Sequence, residues 1–151
     1  MMKKHVAGLG EVEMSADEAA AWLAESEAND PANLPPPVVS DAMISDERER
    51  RIAMPLTVQT SAGRLLINMD TRAQRNLQGL ASVGTFLKIT AQTTATEFRD
   101  FNDVLHMLTP DDLIGIGLQV AQRIHAVYSQ SWALKAKTPI PDDFADDRYW
   151  P

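Results

Sequence analysis

One stretch, Thr109 to Lys137, constrains the fold more than any other, because it carries an unbroken helical pattern long enough to cross a small domain. Thr109 is a good N-cap, Pro110 suits the first helical turn, and Asp111 and Asp112 place negative charge at the positive end of the dipole. Ile114, Leu118, Ala121, Ile124 and Tyr128 recur at steps of three and four, and Ser131 and Lys135 continue the row. Lys135 and Lys137 put positive charge at the far end, and Pro139 and Pro141 stop the helix. About 28 residues at 1.5 Å each give roughly 42 Å, longer than a small domain is wide, so one end is expected to reach a neighbour. The same row predicts a core in which Leu118, Ala121 and Ile124 pack against Leu77 and Leu80.

The segments before this helix supply what it packs on. Leu56–Thr60 and Arg64–Asn68 are β-rich runs joined through Ser61-Ala62-Gly63, a hairpin signal. Asp70 caps a helix carrying Ala73, Leu77, Leu80 and Ala81 on one stripe, with Gly84 as its expected end and Phe86–Thr90 as strand or loop. Glu97–Phe101 and Val104–Leu108 flank Asn102-Asp103, a second hairpin leading into the long helix. Upstream, Ser40 caps a helix over residues 40–53 whose run Asp46-Glu47-Arg48-Glu49-Arg50-Arg51 reads as a solvated face. The expected fold class is α+β: a small domain of two β-hairpins and two to three helices with one long C-terminal helix, preceded by an extended N-terminal arm.

The arm covers residues 1–37, the domain 38–137 and the tail 138–151. In the arm, His5 to Met14 reads as two short strands around Gly8-Leu9-Gly10. Ser15 and Glu18 form a capping box for a helix over Ala16–Ala28, whose apolar face holds Ala19, Trp22 and Leu23. Leu34-Pro35-Pro36-Pro37 favours a stiff polyproline spacer, with a docking motif for a proline-reading domain as the alternative. The tail is acidic and carries Phe144, Tyr149 and Trp150. Trp and Tyr bury large areas at low entropy cost, so Trp22, Phe144, Tyr149 and Trp150 are candidate partner-binding anchors. Folding of Trp150 back onto its own domain is the equal alternative.

Charge and composition narrow the function classes. The net charge is −7, and apolar residues make up 44% of the 151, enough for a core. The acids concentrate at both ends, while residues 55–137 are slightly basic without any cluster of Lys and Arg among aromatics, so no nucleic-acid partner is expected. Apolar runs fall far short of the length that spans a bilayer, so no membrane role is expected. The basic start, Met1-Met2-Lys3-Lys4-His5, is followed by Gly8, Gly10 and Glu11 where a secretory signal needs apolar residues, so a cytoplasmic protein is expected. With no cysteine there is no disulfide, thiolate nucleophile or ordinary zinc site.

Enzymatic chemistry finds no foothold. His5, His106 and His125 are scattered, and His125 beside the helical stripe reads as structural. No metal-binding histidine pair, serine elbow or phosphate loop occurs. Gly115-Ile116-Gly117 lies inside a capped helix, where small residues allow close helix contact. Asp142-Asp143 and Asp146-Asp147 lack the glycine and glutamate of a calcium loop and read as a solvated acidic tail. No catalytic residue, metal or cofactor is assigned.

Several motifs together resemble one family. They are the Gly63-Arg64 hairpin, the Asp70-Thr71-Arg72-Ala73-Gln74-Arg75-Asn76 helix start and the Phe98-Arg99-Asp100-Phe101-Asn102-Asp103-Val104 hairpin. Leu108-Thr109-Pro110-Asp111-Asp112-Leu113 and the late Trp132-Ala133-Leu134-Lys135 complete the set. Over about residues 45–137 this pattern is similar to a domain of unassigned function found in tail-fibre, tail-assembly and other tail proteins of tailed bacteriophages. Val12-Glu13-Met14-Ser15-Ala16-Asp17-Glu18 resembles the openings of small phage tail-assembly proteins. The family has an aromatic followed by an aspartate-asparagine turn, and Phe101-Asn102-Asp103 reorders it. The resemblance implies a non-enzymatic tail-associated protein, an assembly factor that binds another phage tail or tail-fibre polypeptide. A fibre or baseplate adaptor built into the virion is the alternative. It further implies a homo-oligomer, present in the host cytoplasm during assembly or in the virion tail.

Overall fold

Four α-helices and three antiparallel hairpins make up the residues that the computed structural model describes, 2–6, 10–30 and 38–151. They fall into two units, Met1–Val38 and Val39–Pro151. In the first, β1 (Lys3–Val6) pairs with β2 (Gly10–Glu13), Lys3 opposite Glu13. Ser15 then caps α1 (Ala16–Ala28): its hydroxyl accepts from the Glu18 N–H at 3.2 Å, and the Glu18 carboxylate accepts from the Ser15 N–H at 3.0 Å. No residue of α1 is buried. Gly8-Leu9 and the proline spacer Leu34–Pro37 lie outside the described residues.

The second unit follows the expected order: α2 (Asp41–Ala53), β3 (Leu56–Thr60), β4 (Gly63–Ile67), α3 (Thr71–Ile89), β5 (Thr96–Arg99), β6 (Leu105–Leu108) and α4 (Pro110–Lys135). It is an α+β fold. Alternation along the strands places Val58 opposite Leu65 on the inner face of the β3–β4 hairpin, and both are buried. With Ile67, Met69, Leu77 and Leu108 they form one apolar cluster against Leu113, Ile116 and Val120 of α4. A second cluster joins Ile44 and Ile52 of α2 to Val127 and Leu134 of α4, with Trp150 packed in from the tail. The two clusters account for the helix's length. Its first half serves the hairpins and α3, and its second half is covered by α2 and the chain's own tail.

Four local features depart from the sequence expectations. The core row of α4 is Leu113, Ile116, Val120, Val127 and Leu134, whereas Leu118 is 58% exposed and Ala121 is also exposed. Both rows keep helical spacing, so periodicity alone cannot rank them. Second, α3 runs through Gly84 to Ile89, because this glycine lets α4 approach: a Cβ there would meet the Pro110 carbonyl oxygen at 2.7 Å and Leu113 Cβ at 2.9 Å. The helix ends instead at Ala91, which takes φ 53°. The Gln92 N–H donates to the Leu87 carbonyl at 2.8 Å and the Ala91 N–H to that of Lys88 at 3.2 Å. That is a Schellman end with alanine in the usual glycine place, which left no sequence signal.

Third, the charged run of α2 is not wholly solvated. Glu47 and Arg51 are buried. Arg51 Nε donates to Glu47 Oε1 at 2.6 Å, its Nη2 to the Ala145 carbonyl at 2.7 Å, and its Nη1 lies 2.6 Å from Asp147. Arg50 reaches the same Glu47 at 2.6 Å, and this hydrogen bond is the main influence holding that carboxyl below its ordinary range. Fourth, the tail beyond Thr138 is a strap rather than a free arm. A short 3-10 turn at Asp147–Tyr149 brings Trp150 into the second cluster, where its indole N–H donates to the Phe144 carbonyl at 2.8 Å.

Asp112 ties the first hairpin to the start of α4. Its carboxylate accepts from the Ser61 N–H and hydroxyl, both at 2.6 Å, and from the Thr109 hydroxyl at 2.7 Å. Burial alone would raise its pKa, but these bonds outweigh burial and lower it to about 2. A carboxyl depressed in the folded state contributes stability that is present above its unfolded pKa and lost as pH falls through the folded one. Asp112→Asn should therefore remove about 2 kcal/mol at neutral pH and flatten the fall in stability between about pH 4 and pH 2. Denaturant melts across that window check it, and an unchanged acid limb would show that Asp112 is not the group responsible.

Candidate functional site: a groove between two helices

α3 and α4 run side by side, pinned where their small residues meet. Besides the contact at Gly84, a Cβ on Gly117 would lie 2.5 Å from Ala81 Cβ, so the backbones can come together there only because Gly117 has none. The prediction that Gly115-Ile116-Gly117 permits close helix contact holds for Gly117, whereas Gly115 has nothing within 4 Å.

Along this pair lies an apolar groove of about 850 Å³. Gln74, Arg75 and Gln78 of α3 form one wall, Leu118, His125 and Trp132 of α4 the other, and Leu77 and Val120 line its buried side. The groove is thus made by the second apolar row of α4, the one that sequence reasoning had assigned to the core. Trp132 is 57% exposed and packs its ring, tilted by 59°, on that of Tyr128 with centroids 5.9 Å apart. The Arg48 guanidinium of α2 lies 4.4 Å from the Tyr128 centroid and holds that ring from its other neighbour helix. One end of the groove therefore carries an aromatic pair fixed by its surroundings, with one face free.

The anchors expected from the sequence fall elsewhere. Trp22 is half exposed on α1, in the first unit. Phe144, Tyr149 and Trp150 come together, but on α2 and α4 as the strap: Phe144 and Tyr149 pack on the second cluster and Trp150 is only 7% exposed. The Tyr149 hydroxyl donates to Asp143 Oδ1 at 3.2 Å, and Lys137 lies 4.9 Å from its ring centroid. These aromatics use their surface on their own domain, which is the fold-back alternative. Of the histidines, His106 Nε2 lies 3.1 Å from Asp100 Oδ2 inside the second hairpin, and His125 lines the groove. Among the described residues no three His, Asp or Glu side chains gather where a metal ion could be held, and no helix is long and apolar enough to cross a membrane.

Leu118, Tyr128, Trp132 and Arg75 are the site residues that sequence reasoning missed. Two apolar rows on one helix, each with helical spacing, were the available signal, since a helix in a two-layer domain needs only one.

Residues 38–148 match the family model for a domain of unknown function, DUF4376. The chain belongs to that family. The DUF4376 region contains α2, α3, α4 and both hairpins between them, and so every groove-lining residue, whereas α1 and Trp22 precede it. No curated protein and no solved structure matches the chain.

Proposed function

We propose that this protein is a non-enzymatic, bacteriophage tail-associated factor whose DUF4376 domain holds another phage tail or tail-fibre polypeptide in the α3–α4 groove during assembly. The phage setting comes from the motif resemblance over residues 45–137. The groove carries the binding role. Its supporting observation is that a second apolar row on α4 is left partly uncovered, with Ala121 exposed and Leu118 and Trp132 more than half open to solvent beside a buried row that already satisfies the core. Contiguous exposed apolar surface of this kind marks interaction sites on folded domains, and a fixed aromatic at its end is a suitable anchor.

The test separates binding from folding. Leu118→Ala should change stability by less than about 1 kcal/mol, because a half-exposed leucine leaves no closed cavity. Leu118→Asp and Trp132→Ala should each weaken capture of the phage tail polypeptide, from infected cells and then as purified protein, at least tenfold, about 1.4 kcal/mol. Equal capture of the same polypeptide by wild type and both variants would remove the groove from the binding role.

A further inference from the structure

Granting the groove as the docking site, we infer that its occupant is an amphipathic helix with an acidic polar face. A valley between two packed helices accepts a third helix that lays its apolar stripe along it. The α4 wall is lined from Ile114 to Trp132, a run of about 27 Å at 1.5 Å per residue, which matches about five turns of partner helix.

The chain is acidic overall, with net charge −7, yet no carboxylate lines the groove. Its charged lining residue is Arg75, and α3 carries Arg72, Arg75 and Lys88 with no acid between Thr71 and Ile89. Lys88 is paired with Asp111, but the side chains of Arg72 and Arg75 make no hydrogen bond or ion pair to other described residues. Exposed ion pairs contribute little each, up to about fivefold in affinity, so apolar contact supplies the binding and the two arginines supply the choice of partner charge.

The experiment uses the full chain and three labelled helical peptides of about 20 residues, sharing one Leu and Trp stripe and differing only in polar residues, all Glu, all Gln or all Lys. Fluorescence anisotropy should rank them Glu over Gln over Lys, with about tenfold between the extremes and the gap closing at high salt. Arg72→Glu combined with Arg75→Glu should reverse the ranking. Equal binding of all three, or a ranking that survives the double reversal, overturns the acidic preference. In that case Leu118→Asp still decides the groove: if it abolishes all binding, the groove is the site without charge selection, and if it changes none, the groove reading fails as well. Failure of every peptide to bind overturns the helical occupant.

Discussion

Replacing Arg51 with alanine is expected to lower the free energy of unfolding by about 3 kcal/mol and to release the tail. Removing one partner of a buried ion pair costs about 3–5 kcal/mol, because the other charge is left buried without compensation. The lower end applies here, since Glu47 keeps its two hydrogen bonds from Arg50, at 2.6 and 2.7 Å. The loss goes beyond Glu47, because the same guanidinium holds the Ala145 carbonyl and Asp147 and lies 5.8 Å from the Trp150 ring centroid. Trp150 should become exposed before the rest of the domain melts. Trp22 and Trp132 are already half exposed, so a red shift of the remaining buried indole reports the release directly. A urea melt that loses less than about 1 kcal/mol, with emission unchanged, would show that the apolar contacts of Phe144 and Trp150 hold the strap without the arginine.

Two glycines of α3 should respond to substitution with opposite signs. Gly79 is exposed with nothing within 4 Å of an added Cβ, so Gly79→Ala should stabilise the domain by about 1 kcal/mol through helix propensity alone. At Gly84 the same propensity gain meets the Pro110 carbonyl oxygen and Leu113 Cβ, both closer than 3.0 Å to the new atom. Neither is the end of a flexible side chain, so the helices must separate. Gly84→Val should cost about 3 kcal/mol, at the upper end of overpacking penalties and well above the propensity term. Thermal melts of the two variants side by side check the pair, and a neutral Gly84→Val would mean that α3 slides to make room.

Much of the fold was legible because its signals are local. The capping box at Ser15, the N-cap at Thr109, the Ser61-Ala62-Gly63 turn and the Asp70 cap each depend on a few adjacent residues, and each stands where it was expected. What sequence reading missed depends on distance in the chain. Gly84 looked like a helix end because a glycine at the end of a stripe normally is one, and only the approach of Pro110 gives it another purpose. Glu47 and Arg51 looked solvated because their burial comes from Ala145 and Asp147, nearly a hundred residues away. The groove was hidden for a similar reason: Leu118 and Leu113 both fit a helical row, and which one faces the hairpins is decided by where α3 crosses.

Ile124 packs against both apolar clusters, and α4 passes through each without a break. The two cores therefore share a backbone, and neither can dissolve without exposing part of the helix that the other needs. Proteins open in roughly contiguous cooperative units, and a helix common to both cores makes them contiguous. A ligand lying along α4 would then brace the hairpin half and the strap half at once, so occupancy at one surface would be felt as slower opening throughout the unit.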